Sequence, residues 1–319
     1  MKVALVGGGV IGGGWAARFV LAGHDVVVFD PAPDTERVVR GIVEDARDPV
    51  AALRGERSEG VLTFVASIEE ACEGADLVQE SVPERLELKQ KVHMAIDAAA
   101  PEALVGSSTS GLLPTDIAAK TMAPERMFVA HPYNPVYLLP LVELVGGRAT
   151  SPETLEKAAD LYRSVAMHPV VVRKEIDAFI GDRLLEAVWR EALWLVRDDV
   201  CTVAELDDVI THSFGLRWAQ MGLFQTYALG GGERGMKHFL AQFAPTLALP
   251  WSKLTDVPNL DDALQEKIAD QVEDAMDGRT PAELARIRDE NLVAILRALG
   301  QVNGGKGWGA GRQGIDGTE

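Results

Sequence analysis

Six glycines fall within eight residues near the start of the chain, in the run G-G-G-V-I-G-G-G from Gly7 to Gly14. An apolar run at residues 3–6 comes before them, and an apolar-periodic segment follows. A second apolar run, at residues 26–29, ends just before Asp30. This succession predicts a strand, a tight loop, a helix and a second strand.

Gly7, Gly9 and Gly12 match the pattern G-x-G-x-x-G. At such positions the first glycine permits a tight turn, the second lets the backbone approach a pyrophosphate, and the third lets helix and strand pack closely. Asp30 lies 18 residues after Gly12, where a carboxylate accepts both ribose hydroxyls and repels a 2′-phosphate. The stretch therefore predicts dinucleotide binding, with NAD favoured over NADP. The alternative is a flexible glycine-rich turn.

The chain of 319 residues has a net charge of −17 at pH 7. Its length is that of about two domains. The negative field disfavours nucleic acid and anionic membranes as partners, because it would repel both. A small cationic or zwitterionic substrate suits this charge better.

Cys72 and Cys201 are the two cysteines of the sequence. They are too few and too far apart for a disulfide framework or a metal cluster, so we expect no metal, two buried thiols and a reducing cytoplasm. No apolar run reaches the roughly 18 residues of a membrane helix, so we expect a soluble chain. Lys2 precedes an apolar run, but glycines interrupt this run at Gly7, so we expect no export signal.

Apolar runs alternate with helical patterns through the first half of the chain, which predicts a largely parallel, doubly wound α/β sheet of the Rossmann type. The further strands are predicted at residues 61–65, 76–79, 103–107, 127–130, 141–145 and 168–172. From Arg183 onward helical periodicity dominates, with Thr202 and Thr280 as N-caps. We therefore predict a nucleotide-binding domain at residues 1–180, an all-helical domain at 181–302 and a disordered glycine-rich tail at 303–319.

A second informative stretch runs from residue 129 to 147, where His131 follows one predicted strand and Glu143 lies in the next. A histidine oriented by a carboxylate can take the hydroxyl proton of an alcohol while hydride leaves for a nicotinamide. A polar run at residues 107–110 follows another strand, at the edge where open sheets bind ligands. The alternatives are a structural histidine, a surface glutamate and a helix-capping turn.

In order, the chain contains the glycine fingerprint, E-S-V-P-E-R-L-E-L-K, S-S-T-S-G-L, and H-P-Y-N-P followed by L-V-E-L-V. These motifs resemble the NAD-dependent 3-hydroxyacyl-CoA dehydrogenase superfamily. The resemblance implies that His131 is the general base and that Glu143 orients it. It also implies that Ser110 and Asn134 bond to the substrate oxygen or nearby groups.

The same resemblance places Glu84 and Lys89 on the cofactor side of the site. It further implies a homodimer that associates through the helical domain.

Two departures from the family pattern bear on the substrate. No lysine occurs between Lys2 and Lys89, so the most obvious cationic group for binding CoA phosphates is missing. The arginines that could partly substitute are Arg37, Arg40, Arg47, Arg54 and Arg57. Asp182 replaces the family's asparagine, in F-I-G-D-R-L-L-E-A, and adds a negative charge near the expected pocket.

The blocks D-R-L-L-E-A-V-W-R-E-A-L-W-L-V and G-L-R-W-A-Q-M-G-L-F-Q-T-Y look most like the branch of the family that oxidises L-carnitine to 3-dehydrocarnitine. Carnitine is a free quaternary-ammonium hydroxy acid. The alternatives are another 3-hydroxy acid, of the gulonate type or a short 3-hydroxyacyl-CoA, and a non-catalytic NAD-binding protein.

A trimethylammonium group donates no hydrogen bond, so a carboxylate or aromatic faces must hold it. Asp182 is the predicted charge, with Tyr137, Trp218 and Phe224 as aromatic candidates. Arg217 is the candidate for the substrate carboxylate, because guanidinium binds carboxylate bidentately. The alternatives are core or interface packing for the aromatic residues, an exposed helical arginine, and an Asp182 that pairs with Arg183 or caps a helix beginning there.

Overall fold

The architecture comes from a computed structural model of the chain. It describes residues 1–55, 57–219, 222–230, 238–241, 251–252, 259, 261–264, 267, 270–271, 278 and 280–301. The chain divides into two compact units, the first comprising Met1–Asp182 and the second beginning at Arg183. The predicted tail at 303–319 lies outside the described residues.

Eight strands of the first unit form a single sheet. Their bounds are β1 Lys2–Val6, β2 Asp25–Phe29, β3 Leu62–Phe64, β4 Leu77–Glu80, β5 Leu104–Ser107, β6 Met127–Pro132, β7 Leu141–Gly146 and β8 His168–Val172. The strand order is β3-β2-β1-β4-β5-β6-β7-β8. The strands from β1 to β6 are parallel, β7 is antiparallel to β6, and β8 is parallel to β7. The predicted doubly wound α/β fold is confirmed, with its last two strands reversed.

Helices connect most of these strands. They are α1 Val10–Val20, α2 Thr35–Arg54, α3 Ile68–Cys72, α4 Leu86–Ala99, α5 Pro114–Ile117 and α6 Pro152–Ser164. The central strands are largely buried because helices cover parallel sheets on both faces. Every residue of β4 and β6 is buried. Strand order reverses between β1 and β4, and open α/β sheets bind ligands beyond the carboxyl ends of the strands at such a switch point.

Helices make up the regular structure of the second unit as far as it is described. Their bounds are α7 Gly181–Arg197, which starts in the first unit, α8 Val203–Thr211, α9 Phe214–Trp218, α10 Leu223–Gly230 and α11 Pro281–Gln301. Thr202 caps α8 in a capping box with Glu205, as predicted. Thr280 likewise accepts a hydrogen bond from Glu283 N at the start of α11. Among the described residues, no helix combines the length and apolarity that spanning a membrane requires.

Candidate active site

The glycine loop joins β1 to α1 at the switch point of the sheet. Gly7 has a φ of +108°, which side-chain-bearing residues rarely adopt. A Cβ on Gly12 would lie 1.9 Å from Gly7 O, whereas a Cβ on Gly9 would meet no atom within 4 Å. The first and third glycines are therefore required by the turn and the close packing, and the space over Gly9 is open for a ligand to approach. These features fit the pyrophosphate of a dinucleotide.

Asp30 follows directly after β2, at the carboxyl edge of the sheet. Its Oδ2 accepts Gly8 N at 2.7 Å and its Oδ1 accepts Ala32 N at 2.8 Å. The two bonds fix the carboxylate beside the glycine loop. Since a carboxylate oxygen can accept more than one hydrogen bond, both oxygens keep capacity for ribose hydroxyls.

The antiparallel pairing of β6 and β7 sets His131 directly opposite Glu143. Directly opposite residues in such a pair project from the same face, with Cβ atoms about 5 Å apart. The side chains meet, with His131 Nδ1 at 3.0 Å from Glu143 Oε2. His131 is 4% exposed and Glu143 2% exposed. The imidazole and the carboxylate therefore interact largely away from water.

Glu143 is held by several donors besides His131. Its Oε1 accepts Ile180 N at 3.0 Å and Gly181 N at 3.1 Å, and its Oε2 accepts Tyr133 Oη at 3.1 Å. Burial alone would raise the pKa of the Glu143 carboxyl, but the bonds from His131, Gly181 and Ile180 outweigh burial and lower that pKa. A Cβ at position 181 would lie 1.6 Å from Tyr133 Oη, so a larger residue there would displace the hydroxyl that donates to Glu143.

The charge on Glu143 decides the tautomer of His131. An ionised carboxylate can only accept hydrogen bonds, so the proton of the neutral imidazole lies on Nδ1. His131 Nε2 is then unprotonated and able to take a proton. The geometry thus supplies an oriented base.

Asp182 lies beside that nitrogen, with its Oδ2 at 3.7 Å from His131 Nε2. Its side chain is 23% exposed. α7 begins at Gly181, so Asp182 lies in the first turn of the helix. The alternative that Asp182 caps a helix beginning at Arg183 is therefore wrong, because the helix has already begun.

Glu84 organises the segment that carries Ser110. Its Oε1 accepts Ser110 N and Gly111 N, each at 3.2 Å, and also the Thr109 hydroxyl. Ser110 and Asn134 are both exposed residues at the carboxyl edge, after β5 and β6. Their positions follow from the strand ends that precede them.

Lys89 is 1% exposed. Its ammonium donates to Glu80 Oε1 at 2.7 Å and to Val82 O at 3.1 Å, and it lies 3.4 Å from Glu84 Oε2. Lys89 is thus packed behind Glu84 rather than at the surface.

The predicted substrate residues are scattered through the fold. Tyr137 lies between β6 and β7 and is 8% exposed. Arg217 and Trp218 lie in α9 and Phe224 in α10, all in the second unit, where Trp218 is 42% and Phe224 76% exposed. Their roles stay predictions.

Sequence reasoning missed Tyr133, Glu80, His93 and Arg18. Arg18 is 1% exposed, and its guanidinium donates to Val136 O at 2.7 Å and Leu139 O at 2.9 Å. It thereby holds the loop that joins His131 to Glu143. The signal for it was an arginine in the last turn of an otherwise apolar helix, because an arginine is buried only when its donors find acceptors.

A Rossmann-type sheet with this loop, terminal aspartate and histidine–carboxylate pair defines the class of dinucleotide-binding α/β proteins. The model of the 3-hydroxyacyl-CoA dehydrogenase NAD binding domain matches residues 2–176, and that of the 3-hydroxyacyl-CoA dehydrogenase C-terminal domain matches residues 179–271. The chain belongs to the 3-hydroxyacyl-CoA dehydrogenase family, and its first unit is the NAD-binding domain of that family.

Two curated relatives are similar over nearly the whole chain. A Rhizobium meliloti (strain 1021) protein named L-carnitine dehydrogenase/betainyl-CoA thioesterase is 61% identical over 98% of this chain and 63% of its own length. A Mesorhizobium japonicum protein named L-carnitine dehydrogenase is 57% identical over 97% of this chain and 86% of its own length. This chain therefore spans less than two thirds of the first relative.

A solved structure with a similar fold is that of 5-formyl-3-hydroxy-2-methylpyridine 4-carboxylic acid 5-dehydrogenase, described as an NAD+ dependent dismutase. It superposes with a TM-score of 0.81 and 31% identity, over 94% of this chain and 98% of that one.

Proposed function

We propose that this chain oxidises the 3-hydroxyl of L-carnitine to 3-dehydrocarnitine, with NAD as the cofactor. The observation that carries the proposal is the Asp182 carboxylate, 3.7 Å from His131 Nε2. In carnitine only one methylene separates the hydroxyl-bearing carbon from the trimethylammonium nitrogen. A carboxylate beside the base is therefore within reach of the cation when the hydroxyl is at the base. The names of the two relatives point to the same substrate.

In this proposal His131 Nε2 removes the hydroxyl proton as the C–H bond breaks. The carbon becomes a carbonyl, and the bound nicotinamide supplies the acceptor for the hydride. Glu143 stabilises the imidazolium that forms, because it is ionised and in contact with Nδ1. Ser110 and Asn134 hold the substrate oxygen. Gly7, Gly9, Gly12, Asp30 and Glu84 hold the cofactor, with Lys89 behind Glu84.

In this scheme Asp182 supplies the negative charge that holds the substrate cation. A carboxylate about 4 Å from a fixed cation contributes up to about 4 kcal/mol at an effective dielectric near 20, before desolvation is subtracted. An aromatic face adds roughly 0.5 to 2 kcal/mol, with Tyr137, Trp218 and Phe224 as candidates, and Arg217 takes the substrate carboxylate. The charge of Asp182 therefore contributes more to binding of the cation than an aromatic face does.

A short 3-hydroxyacyl-CoA is the second candidate, because the family models carry that name. The arrangement of the arginines opposes it. Arg37 contacts Asp34, Arg40 contacts Glu36, and Arg47 contacts Glu44 and Glu59. Three of the five arginines that could hold CoA phosphates are therefore already next to carboxylates.

Turnover of carnitine, gulonate and 3-hydroxybutyryl-CoA, measured side by side as NADH formation at alkaline pH, tests the proposal. We expect turnover of carnitine. If only the CoA ester or gulonate reacts, the carnitine assignment is wrong. NAD binding without turnover of any of them would favour a non-catalytic protein.

We also propose a homodimer that forms through the helical domain. α7 exposes a row of large apolar side chains, namely Leu184, Leu185, Val188 and Trp189. A contiguous exposed apolar face is typical of an interaction surface. Light scattering should give twice the 34.3 kDa of one chain, and Leu185→Lys should shift the measured mass towards that of the monomer.

Cys72 and Cys201 are free thiols, which suits a cytoplasmic location. Cys72 is buried as expected, but Cys201 is only half-buried, so the expectation of two buried thiols is wrong for Cys201.

A further inference from the structure

A buried polar cluster lies under the carboxyl ends of β4 and β5, made of Glu80, Lys89, His93 and Ser107. Each of these residues is at most 1% exposed. Glu80 accepts Lys89 Nζ at 2.7 Å, Ser107 Oγ at 2.6 Å and Val82 N at 2.7 Å, and its Oε2 lies 3.1 Å from His93 Nε2. Burial of a carboxylate and an ammonium costs several kcal/mol for each ion unless such bonds compensate it.

The protonation of the cluster follows from its contacts. Burial alone would raise the pKa of the Glu80 carboxyl, but the bonds and charges of His93 and Lys89 more than offset it and lower that pKa to about 2. His93 Nδ1 is buried and has no hydrogen-bond partner among the described residues. Because an ionised carboxylate only accepts hydrogen bonds, His93 donates from Nε2 to Glu80 Oε2. The cluster therefore holds an ionised Glu80 carboxylate beside the Lys89 ammonium.

The ammonium of Lys89 links this cluster to the edge of the site. It lies 3.4 Å from Glu84 Oε2, whose side chain is 44% exposed. The other oxygen of Glu84 accepts Ser110 N, Gly111 N and the Thr109 hydroxyl. The contacts therefore run without a break from buried Glu80 to the backbone of Ser110.

We propose that Glu80 is a positioning residue for the cofactor-facing Glu84 and for Ser110. By fixing the Lys89 ammonium, Glu80 sets the place of the Glu84 carboxylate, and that carboxylate sets the turn at residues 109–111. The inference rests on the proposed roles of Glu84 and Ser110. The competing account is that Glu80 only stabilises the sheet.

A second buried ion pair in the first unit serves as a matched control for the account in which Glu80 only stabilises the sheet. Asp97 contacts the guanidinium of Arg126, which also donates to Ala103 O at 2.8 Å. Both Asp97 and Arg126 are 8% exposed. Ala103 and Arg126 immediately precede β5 and β6, so this buried ion pair lies at the opposite edge of the sheet.

The experiment compares Glu80→Gln with Asp97→Asn in the full chain, well below the melting temperature of each. We expect both variants to lose stability. Only Glu80→Gln should raise the NADH dissociation constant, by about tenfold, and lower kcat by a similar factor. The proposal is wrong if both variants lose the same stability while Glu80→Gln keeps wild-type NADH affinity and kcat. Glu80 would then be a structural residue only.

Thr109→Val tests the contact between Glu84 and the turn at residues 109–111 without burying an unpaired charge. It still tests the proposal if Glu80→Gln does not fold. Thr109→Val should lower kcat several-fold, whereas Thr109→Ser, which keeps the hydroxyl, should restore it. Wild-type kcat in Thr109→Val would overturn the proposal. NADH affinity is measured without substrate. A wild type that does not oxidise carnitine would therefore refute the proposed function, while the NADH affinities of Glu80→Gln and Asp97→Asn would still test the role of Glu80.

Discussion

Asp182 Oδ2 lies 3.7 Å from His131 Nε2, on the side of the imidazole away from Glu143. If this carboxylate holds the substrate cation, Asp182→Asn should raise the KM for carnitine at least roughly tenfold, or about 1.4 kcal/mol. NADH affinity and Tm should barely change. Glu186→Gln is the control. Glu186 lies on the same helix as Asp182, but its carboxylate pairs with Arg190.

Two other outcomes would assign Asp182 differently. A fall in kcat and a shifted pH profile with unchanged KM would mean that Asp182 acts on His131 alone. A loss of Tm with unchanged kinetics would place it in the fold.

His131→Asn should lower kcat by roughly 100-fold or more, because it removes the base that takes the hydroxyl proton. NADH binding should stay nearly intact, which fluorescence titration can check. Near-wild-type turnover would remove His131 from the mechanism.

Glu143→Gln should cost less than His131→Asn, since the imidazole remains but loses its charged partner. Steady-state kinetics of the two variants under one set of conditions give the ranking. A larger loss from Glu143→Gln would show that Glu143 does more than orient the base.

Replacement of Asp30 by Ser should weaken NAD binding. It should also narrow the preference for NAD over NADP, because the repulsion of a 2′-phosphate is removed. The ratio of kcat/KM for the two cofactors measures this change. The role of Asp30 at the ribose would be refuted by a wild type that uses NADP equally well.

The pKa of the Glu80 carboxyl is lowered from 4.5 to about 2 in the folded chain. A lowered pKa stabilises the fold above the unfolded value, and this contribution is lost as the pH falls through the folded value. The difference in Tm between wild type and Glu80→Gln should therefore be largest near pH 7 and shrink from pH 4.5 towards 2. An equal difference at pH 7 and pH 3 would contradict the assigned charge.

The sequence predicted all eight strands because each is a short apolar run bounded by polar or glycine residues. It did not predict the reversal of β7 and β8, since strand direction is decided by how the connecting loop packs. The pairing of His131 with Glu143 depends on a register that periodicity alone leaves open. Glu80 was missed because a glutamate at the end of a strand looks like a surface residue until its partners on α4 are known.

Arg18 donates to carbonyl groups within the loop between β6 and β7, and His131 and Glu143 pair in one register of these strands. A shift of one residue would turn one of the two side chains to the other face of the sheet. The length of this hairpin is thus fixed by the need to keep His131 paired with Glu143. We expect laboratory evolution towards new substrates to accept exchanges in the first turn of α7, and to reject insertions or deletions in the hairpin.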